Sequence, residues 1–196
     1  MNTPDILAAV TPLIQVFEQL GIPYYIGGSV ASSTHGIPRL TLDVDLAADI
    51  QTKQVNNLVM LLQSMYYIDG DMIRDAIRHH SSFNIIHLDT MLKIDVFLSK
   101  ARLFDQETQR RVQQKTLAGS DRPFYMASPE DVILNKLEWY KMSQGVSDRQ
   151  WNDILGVLKL KGTTLDFTYL RTWAAHLAVT DLLERAFIEA GLVEQG

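Results

Sequence analysis

Apolar residues recur along this chain with two different periods. Ile6, Leu7, Val10, Leu13, Ile14, Phe17 and Leu20 follow helical spacing. Thr3 and Pro4 suit the N-cap and first helical position, Gly21 ends the run and Pro23 prevents its return. Pro12 lies inside the pattern and predicts a kink or restart. Tyr24–Ile26 reads as a short strand, broken by Gly27 and Gly28. Ser29–His35 makes two helical turns of small residues, closed by Gly36 and Pro38. From Leu40 to Ala47 the period becomes two: Leu42, Val44 and Leu46 alternate with Asp43 and Asp45, which predicts a strand with one apolar face. Helical spacing returns over Gln51–Met65, with Val55, Leu58, Leu61 and Leu62 on one face. Tyr66–Ile68 reads as a strand and Asp71–Arg78 as a short helix. Phe83–Leu88 and Leu92–Leu98 are strands joined by a turn at Asp89-Thr90-Met91. Leu103–Gln114 is polar and partly helical, and Lys115–Ala118 with Phe124–Ala127 forms a hairpin around Gly119-Ser120-Asp121.

From Ser128 onward every strong signal is helical. Ser128-Pro129-Glu130-Asp131 is a capping box with proline at the first helical position, ahead of Ile133, Leu134, Leu137 and Trp139. Ser147-Asp148-Arg149-Gln150 is a second box, before Trp151, Ile154, Leu155 and Leu158, and Gly162 ends that helix. Asp166–Leu177 and Asp181–Ala190 complete a bundle. The pattern predicts an α+β chain: a mixed α/β domain over residues 1–127 and a helical domain over 128–196. No Pro/Gly-rich linker separates them, so the two are expected to pack against each other.

Composition narrows the functional classes. The chain has 196 residues, 46% hydrophobic, with a net charge of −5, so no global basic character points to nucleic acid. It has no cysteine, which removes disulfides, thiolate metal sites and cysteine nucleophiles and fits a reducing cytoplasm. No stretch reaches the ~18 apolar residues of a membrane span, and MNTPDILAAV lacks the basic start of a signal peptide. A soluble cytoplasmic protein is expected.

The stretch Tyr24–Asp49 concentrates the chemistry. Asp43 and Asp45 stand two apart on a strand, hence on one face, about 6.6 Å apart along it. The Gly-Gly-Ser turn offers backbone N–H groups at a helix start, where phosphate binds well. Gly27 and Gly28 permit positive φ, and Ser29 adds a hydroxyl. Asp95, in Ile94-Asp95-Val96-Phe97, repeats the strand context. If its strand neighbours the first, Asp95 lies ~5 Å from the pair. Three such carboxylates repel one another unless a cation is bound. Mg²⁺ suits an all-oxygen site that leaves positions for substrate phosphates, with Mn²⁺ as an alternative. Each acid alone reads as an ordinary strand-end aspartate, and the turn alone as a plain strand-to-helix connection; the combination carries the signal. His79-His80 lacks a partner at ligand spacing and reads as a surface or core-edge pair, while Arg74, Arg78, Arg110, Arg111 and Lys115 are interspersed with acids and read as solvated surface. Trp139, Tyr140 and Trp151 read as core or interface residues.

Gly28-Ser29, thirteen residues, then Asp43-Val44-Asp45 resembles the signature of the DNA polymerase β-like nucleotidyltransferase superfamily. Arg39-Leu40-Thr41-Leu42-Asp43-Val44-Asp45 resembles the R-x-T-x-D-x-D form of AbiEii-type toxins and their bacterial relatives. Lys136-Leu137, Arg149 and Asp153-Ile154 are similar to their K-L…R-D-x-x-D-L pattern, with Gln150 standing where that pattern has its first acid. The resemblance covers about residues 20 to 160. It implies a polymerase β-like palm followed by helices, and a Mg²⁺-dependent enzyme that moves an NMP from an NTP such as ATP to a hydroxyl on RNA, protein or a small molecule. It implies that Asp43, Asp45 and Asp95 hold metal and carry the catalysis. Gly28 and Ser29 would hold phosphates, Lys136 would reach the triphosphate, Asp153 would orient Lys136 or line the site, and Arg39 and Thr41 would contact phosphate or shape the loop. A toxin-like role implies tRNA or a protein as acceptor and an antitoxin as partner. The alternatives read from the residues are an NTP-binding regulatory module without turnover, a solvated Lys136, and an Arg149–Asp153 pair on a helix surface.

Overall fold

The computed structural model describes residues 3–99 and 102–192. They form a mixed α/β domain with a seven-stranded sheet, followed in sequence by an all-helical bundle. By contacts the chain divides into two units. One comprises the residues up to Gly27 with Leu40–Met126, and the other comprises Gly28–Arg39 with the residues from Ala127 onward.

All seven strands belong to the first unit: β1 (Tyr24–Ile26), β2 (Asp43–Ala48), β3 (Tyr66–Tyr67), β4 (Ser82–His87), β5 (Lys93–Leu98), β6 (Gln113–Thr116) and β7 (Pro123–Met126). Their order is β3-β4-β5-β2-β1-β7-β6. β2 runs parallel to β5, and β1 parallel to β7. The remaining neighbours are antiparallel. Alternation sets the two faces. Val44, Leu46 and Ala48 of β2 and Ile94, Val96 and Leu98 of β5 are buried, whereas Asp43, Asp45, Asp95 and Phe97 on the opposite face are only partly covered. The same unit holds helices α1 (Thr3–Gln19), α3 (Val55–Leu62), α4 (Gly70–His79) and α5 (Leu103–Arg110). Ala9, Val10, Leu13, Ile14 and Phe17 of α1, with Leu58 and Leu62 of α3 and Ile73 of α4, join its core. The Tyr66 hydroxyl donates 2.7 Å to the Ala9 carbonyl and ties β3 to α1; burial then pushes this phenol's pKa well above its ordinary value. α1 passes through Pro12 as one helix. The side chains of Thr3 and Pro4, expected to cap it, lie outside the described part.

Three expectations of local structure are corrected, the first being the hairpin strand expected over Lys115–Ala118, which is β6 over Gln113–Thr116. Residues 40–42 are not strand: the Thr41 hydroxyl turns back to the Asp43 carbonyl at 3.0 Å, holding an irregular entry to β2. The helix expected over Gln51–Met65 splits into a 3₁₀ turn (Thr52–Gln54) and α3. At the 3₁₀ turn the Gln54 amide accepts from the Gln51 backbone N–H and donates to the Leu20 carbonyl.

The second unit holds α2 (Gly28–His35), α6 (Pro129–Met142), α7 (Asp148–Lys161), α8 (Phe167–His176) and α9 (Thr180–Ala190). Ser128 caps α6 by accepting from Asp131 N–H, and Ser147 caps α7 by accepting from Gln150 N–H. The α6 cap departs from the reciprocal box. Here the Asp131 carboxylate accepts from the Ser128 hydroxyl at 2.6 Å and from the Tyr169 hydroxyl at 2.6 Å, which draws α8 to the start of α6. α2 packs on α6 and α7. Its approach to α7 depends on glycine: a Cβ at Gly36 would meet Val157 N at 2.7 Å and Gly156 C at 2.9 Å. Buried His35 donates from Nε2 to the Ala127 carbonyl at 2.8 Å. Tyr140 and Trp151 are buried in the bundle with ring centroids 4.9 Å apart, whereas Trp139, expected in a core or interface, is 49% exposed. Among the described residues no helix is long and apolar enough to cross a membrane.

Candidate functional site

The carboxylates lie in the first unit. β2 and β5 are parallel neighbours in a register that pairs Asp45 with Asp95 and Asp43 with Lys93. Residues paired across two strands share a face, so Asp43, Asp45 and Asp95 form a row on the partly exposed side of the sheet. The Thr41 hydroxyl lies 2.9 Å from Asp43 Oδ1 as well as beside the Asp43 carbonyl, and thereby orients that carboxylate.

Lys93, which motif reading passed over, enters this row. Its Nζ stands 2.7 Å from Asp95 Oδ2. The hydrogen bond to Asp95, reinforced by the attraction of Asp95, Asp43 and Asp45, raises the lysine's pKa against the opposing effect of burial. The signal for it was present in the sequence: Lys93 is two residues before Asp95 on an alternating strand. Among the described residues no group of three or more acids or histidines is gathered as a ready-made metal site. The donor set nevertheless suits a hard divalent ion. It is all carboxylate, it lies on one face of adjacent strands, and it already attracts a cation in the form of Lys93.

A connected polar network lies wholly in the second unit. Arg39 grips Asp153 with two hydrogen bonds, Nε to Oδ1 at 2.7 Å and Nη2 to Oδ2 at 2.8 Å. The same Nη2 reaches the Ser29 hydroxyl at 2.5 Å. Buried Lys136 donates to Asp153 Oδ2 at 2.8 Å and to Gln150 Oε1 at 2.9 Å. Burial of Asp153 pushes its pKa up, but the hydrogen bonds and charges of Arg39 and Lys136 together outweigh burial and hold it below the ordinary carboxylate value. Lys136 is therefore a buried ion-pair residue rather than a solvated one, and Asp153 pairs across the bundle with Arg39 and Lys136. Gln150 fills its departed position as a neutral acceptor for Lys136.

Gly28 opens α2 with φ +51, a left-handed backbone that favours glycine. Gly27 adopts no such φ, and its N–H is spent on the Asp45 carbonyl at 2.9 Å. Of the turn expected to bind phosphate, the part at a helix start is thus Gly28 and Ser29. Arg39 and Asp153 are separated by 114 residues in sequence, so no local pattern announced their pairing. His79 and His80 are exposed, and Arg74 and Arg78 pair with Asp71 and Asp75 on the surface of α4.

No protein-family model matches the chain, and no curated protein sequence matches it. Solved structures do. The solution structure of the antibiotic-resistance factor ANT(2'')-Ia aligns over 96% of this chain and 100% of its own, at 15% identity and TM-score 0.58. The crystal structure of ANT(2'')-Ia in complex with adenylyl-2''-tobramycin aligns over 90% and 98%, at 15% identity and TM-score 0.60. An antigenic nucleotidyltransferase-like protein from Paracoccidioides brasiliensis aligns over 93% and 90%, at 17% identity and TM-score 0.53. The chain shares the fold of these solved structures.

Proposed function

We propose that this protein is a metal-dependent nucleotidyltransferase that moves the NMP of an NTP, ATP first among them, to an acceptor hydroxyl. The observation that carries this reading is the row of Asp43, Asp45 and Asp95 on one face of two parallel neighbouring strands, in a chain with a nucleotidyltransferase fold. In the reaction the acceptor oxygen forms a bond to the α-phosphorus, the α–β phosphoanhydride bond breaks, and pyrophosphate leaves with its electron pair. Mg²⁺ or Mn²⁺ held by Asp43, Asp45 and Asp95 would supply charge stabilisation to the phosphates and acidify the acceptor hydroxyl. Asp95 takes the hydroxyl proton or passes it to solvent. Thr41 keeps Asp43 oriented. Gly28 and Ser29 offer an N–H and a hydroxyl to the phosphates, with Arg39 and Lys136 as the cations of the nucleotide site and Asp153 as the carboxylate that positions both.

The likeness to ANT(2'')-Ia favours a small polyhydroxylated molecule as acceptor. The test is incubation with α-labelled NTPs, Mg²⁺ and a panel of aminoglycosides, lincosamides, tRNA and bulk protein. Labelled small-molecule product that disappears in the Asp43→Asn, Asp45→Asn double variant is expected. Transfer persisting in that variant would refute the mechanism. Metal-dependent NTP binding with no transfer to any acceptor would instead favour a regulatory module.

A further inference from the structure

The carboxylate row contains a cation of its own. Lys93 and Asp95 share a face of β5, Lys93 stands in register with Asp43, and Asp95 stands in register with Asp45. The ammonium is 2.7 Å from Asp95 Oδ2. A positive charge in that place does one part of what a divalent ion does, because it offsets the mutual repulsion of three like charges. It does so from a flexible four-carbon stem whose side chain is 45% exposed, so it can swing to water without disturbing the core. A divalent ion bound by the same carboxylates would face an ammonium at hydrogen-bond distance from one of its ligands. Two cations on one carboxylate repel, and the one on the flexible stem is the one that moves.

We propose that Lys93 is the resident counter-ion of the carboxylate row, holding Asp95 while no divalent ion is bound and withdrawing to solvent when one binds, so that it sets the metal affinity of the site. The inference rests on the metal-binding reading above and deepens it. Metal binding must first displace the Lys93–Asp95 pair, so the apparent affinity is lowered by the fraction of molecules in which that pair is formed. Partly exposed ion pairs contribute about 0.2–1 kcal/mol, so removing the ammonium is expected to tighten metal binding by roughly two- to fivefold. This makes Lys93 a positioning residue for Asp95 rather than a catalytic one.

The experiment measures metal binding, not turnover. Mn²⁺ binding is followed from the free-ion electron paramagnetic resonance signal, and Mg²⁺ binding by calorimetry, for wild type, Lys93→Gln and the Asp43→Asn, Asp45→Asn double variant. Lys93→Gln is expected to bind more tightly than wild type, and the double variant to lose binding. A second measurement follows Lys93 in the wild-type protein: amine-selective acetylation at this residue, read by mass spectrometry, should rise with added Mg²⁺. Equal or weaker binding by Lys93→Gln, or labelling unmoved by Mg²⁺ at saturation, would overturn the counter-ion role while leaving the metal site standing. Absence of binding in both wild type and Lys93→Gln would overturn the metal reading, and the counter-ion role with it.

Discussion

At the scale of the residue, Asp153 decides more than either of its partners. It is the anion that Arg39 and Lys136 share. Removing one member of a buried pair leaves its partner's charge uncompensated, at about 3–5 kcal/mol. Asp153→Asn is therefore expected to destabilise the protein by about 3 kcal/mol, read from the urea midpoint at constant m-value. Lys136→Met should cost far less, about 1 kcal/mol, because Asp153 keeps both hydrogen bonds from Arg39. If the nucleotide reading holds, Lys136→Met will nevertheless weaken NTP binding, so stability and affinity should separate in this variant. The pH dependence has a definite sign. A carboxylate whose folded pKa lies below its unfolded value contributes stability above the unfolded pKa, near 3.9, and loses it as pH falls through the folded value. The gap between wild type and Asp153→Asn should be constant near neutrality and narrow below about pH 4. A gap that widens on acidification would contradict the assigned direction.

At the scale of the element, the strands that carry the acids were legible and their pairing was not. The alternation from Leu42 to Leu46 established which face of β2 is apolar, and Ile94, Val96 and Leu98 did the same for β5. A one-residue slip would bury the acids and expose the valines, so the buried face specifies the register strongly. That these two strands are parallel neighbours follows from a long-range pairing that no local period encodes. The short missegment at residues 40–42 has a local cause, since the Thr41 hydroxyl competes with strand hydrogen bonding. Arg39, by contrast, was singled out by motif but acquires its partner only through folding. Helix packing offers a sharper test. Gly36→Ala places a methyl group 2.7 Å from Val157 N, a backbone atom that cannot rotate away. Overpacking of this kind costs about 1–3 kcal/mol, and a lowered thermal midpoint with retained helical circular dichroism is expected. Gly191→Ala, in open space at a left-handed helix end, should cost only the local backbone strain of about 1–2 kcal/mol.

At the scale of the whole molecule, the chain passes between its two units at Gly27–Gly28, Arg39–Leu40 and Met126–Ala127. The helical unit is consequently not a contiguous stretch of sequence. The capping signals at Ser128 and Ser147 make its helices legible, but the membership of α2 is fixed by contacts with α6 and α7 and by the Arg39–Asp153 pair, both long-range. A fragment beginning at Ala127 would retain α6–α9 and lose α2 and Arg39. It would expose the surfaces of α6 and α7 that α2 covers and leave Asp153 with Lys136 alone. Since the stability of a domain is a small difference between large terms, loss of one packed helix and half of a buried ion-pair network should abolish cooperative unfolding. The expected outcome is a fragment with helical circular dichroism but a broad thermal transition. Adding a peptide spanning Gly28–Arg39 in trans should sharpen that transition, and the same peptide carrying Arg39→Ala should do so less. A fragment that melts sharply by itself would show that α2 and Arg39 are dispensable to the bundle, and would move their role from holding the unit together to serving its site.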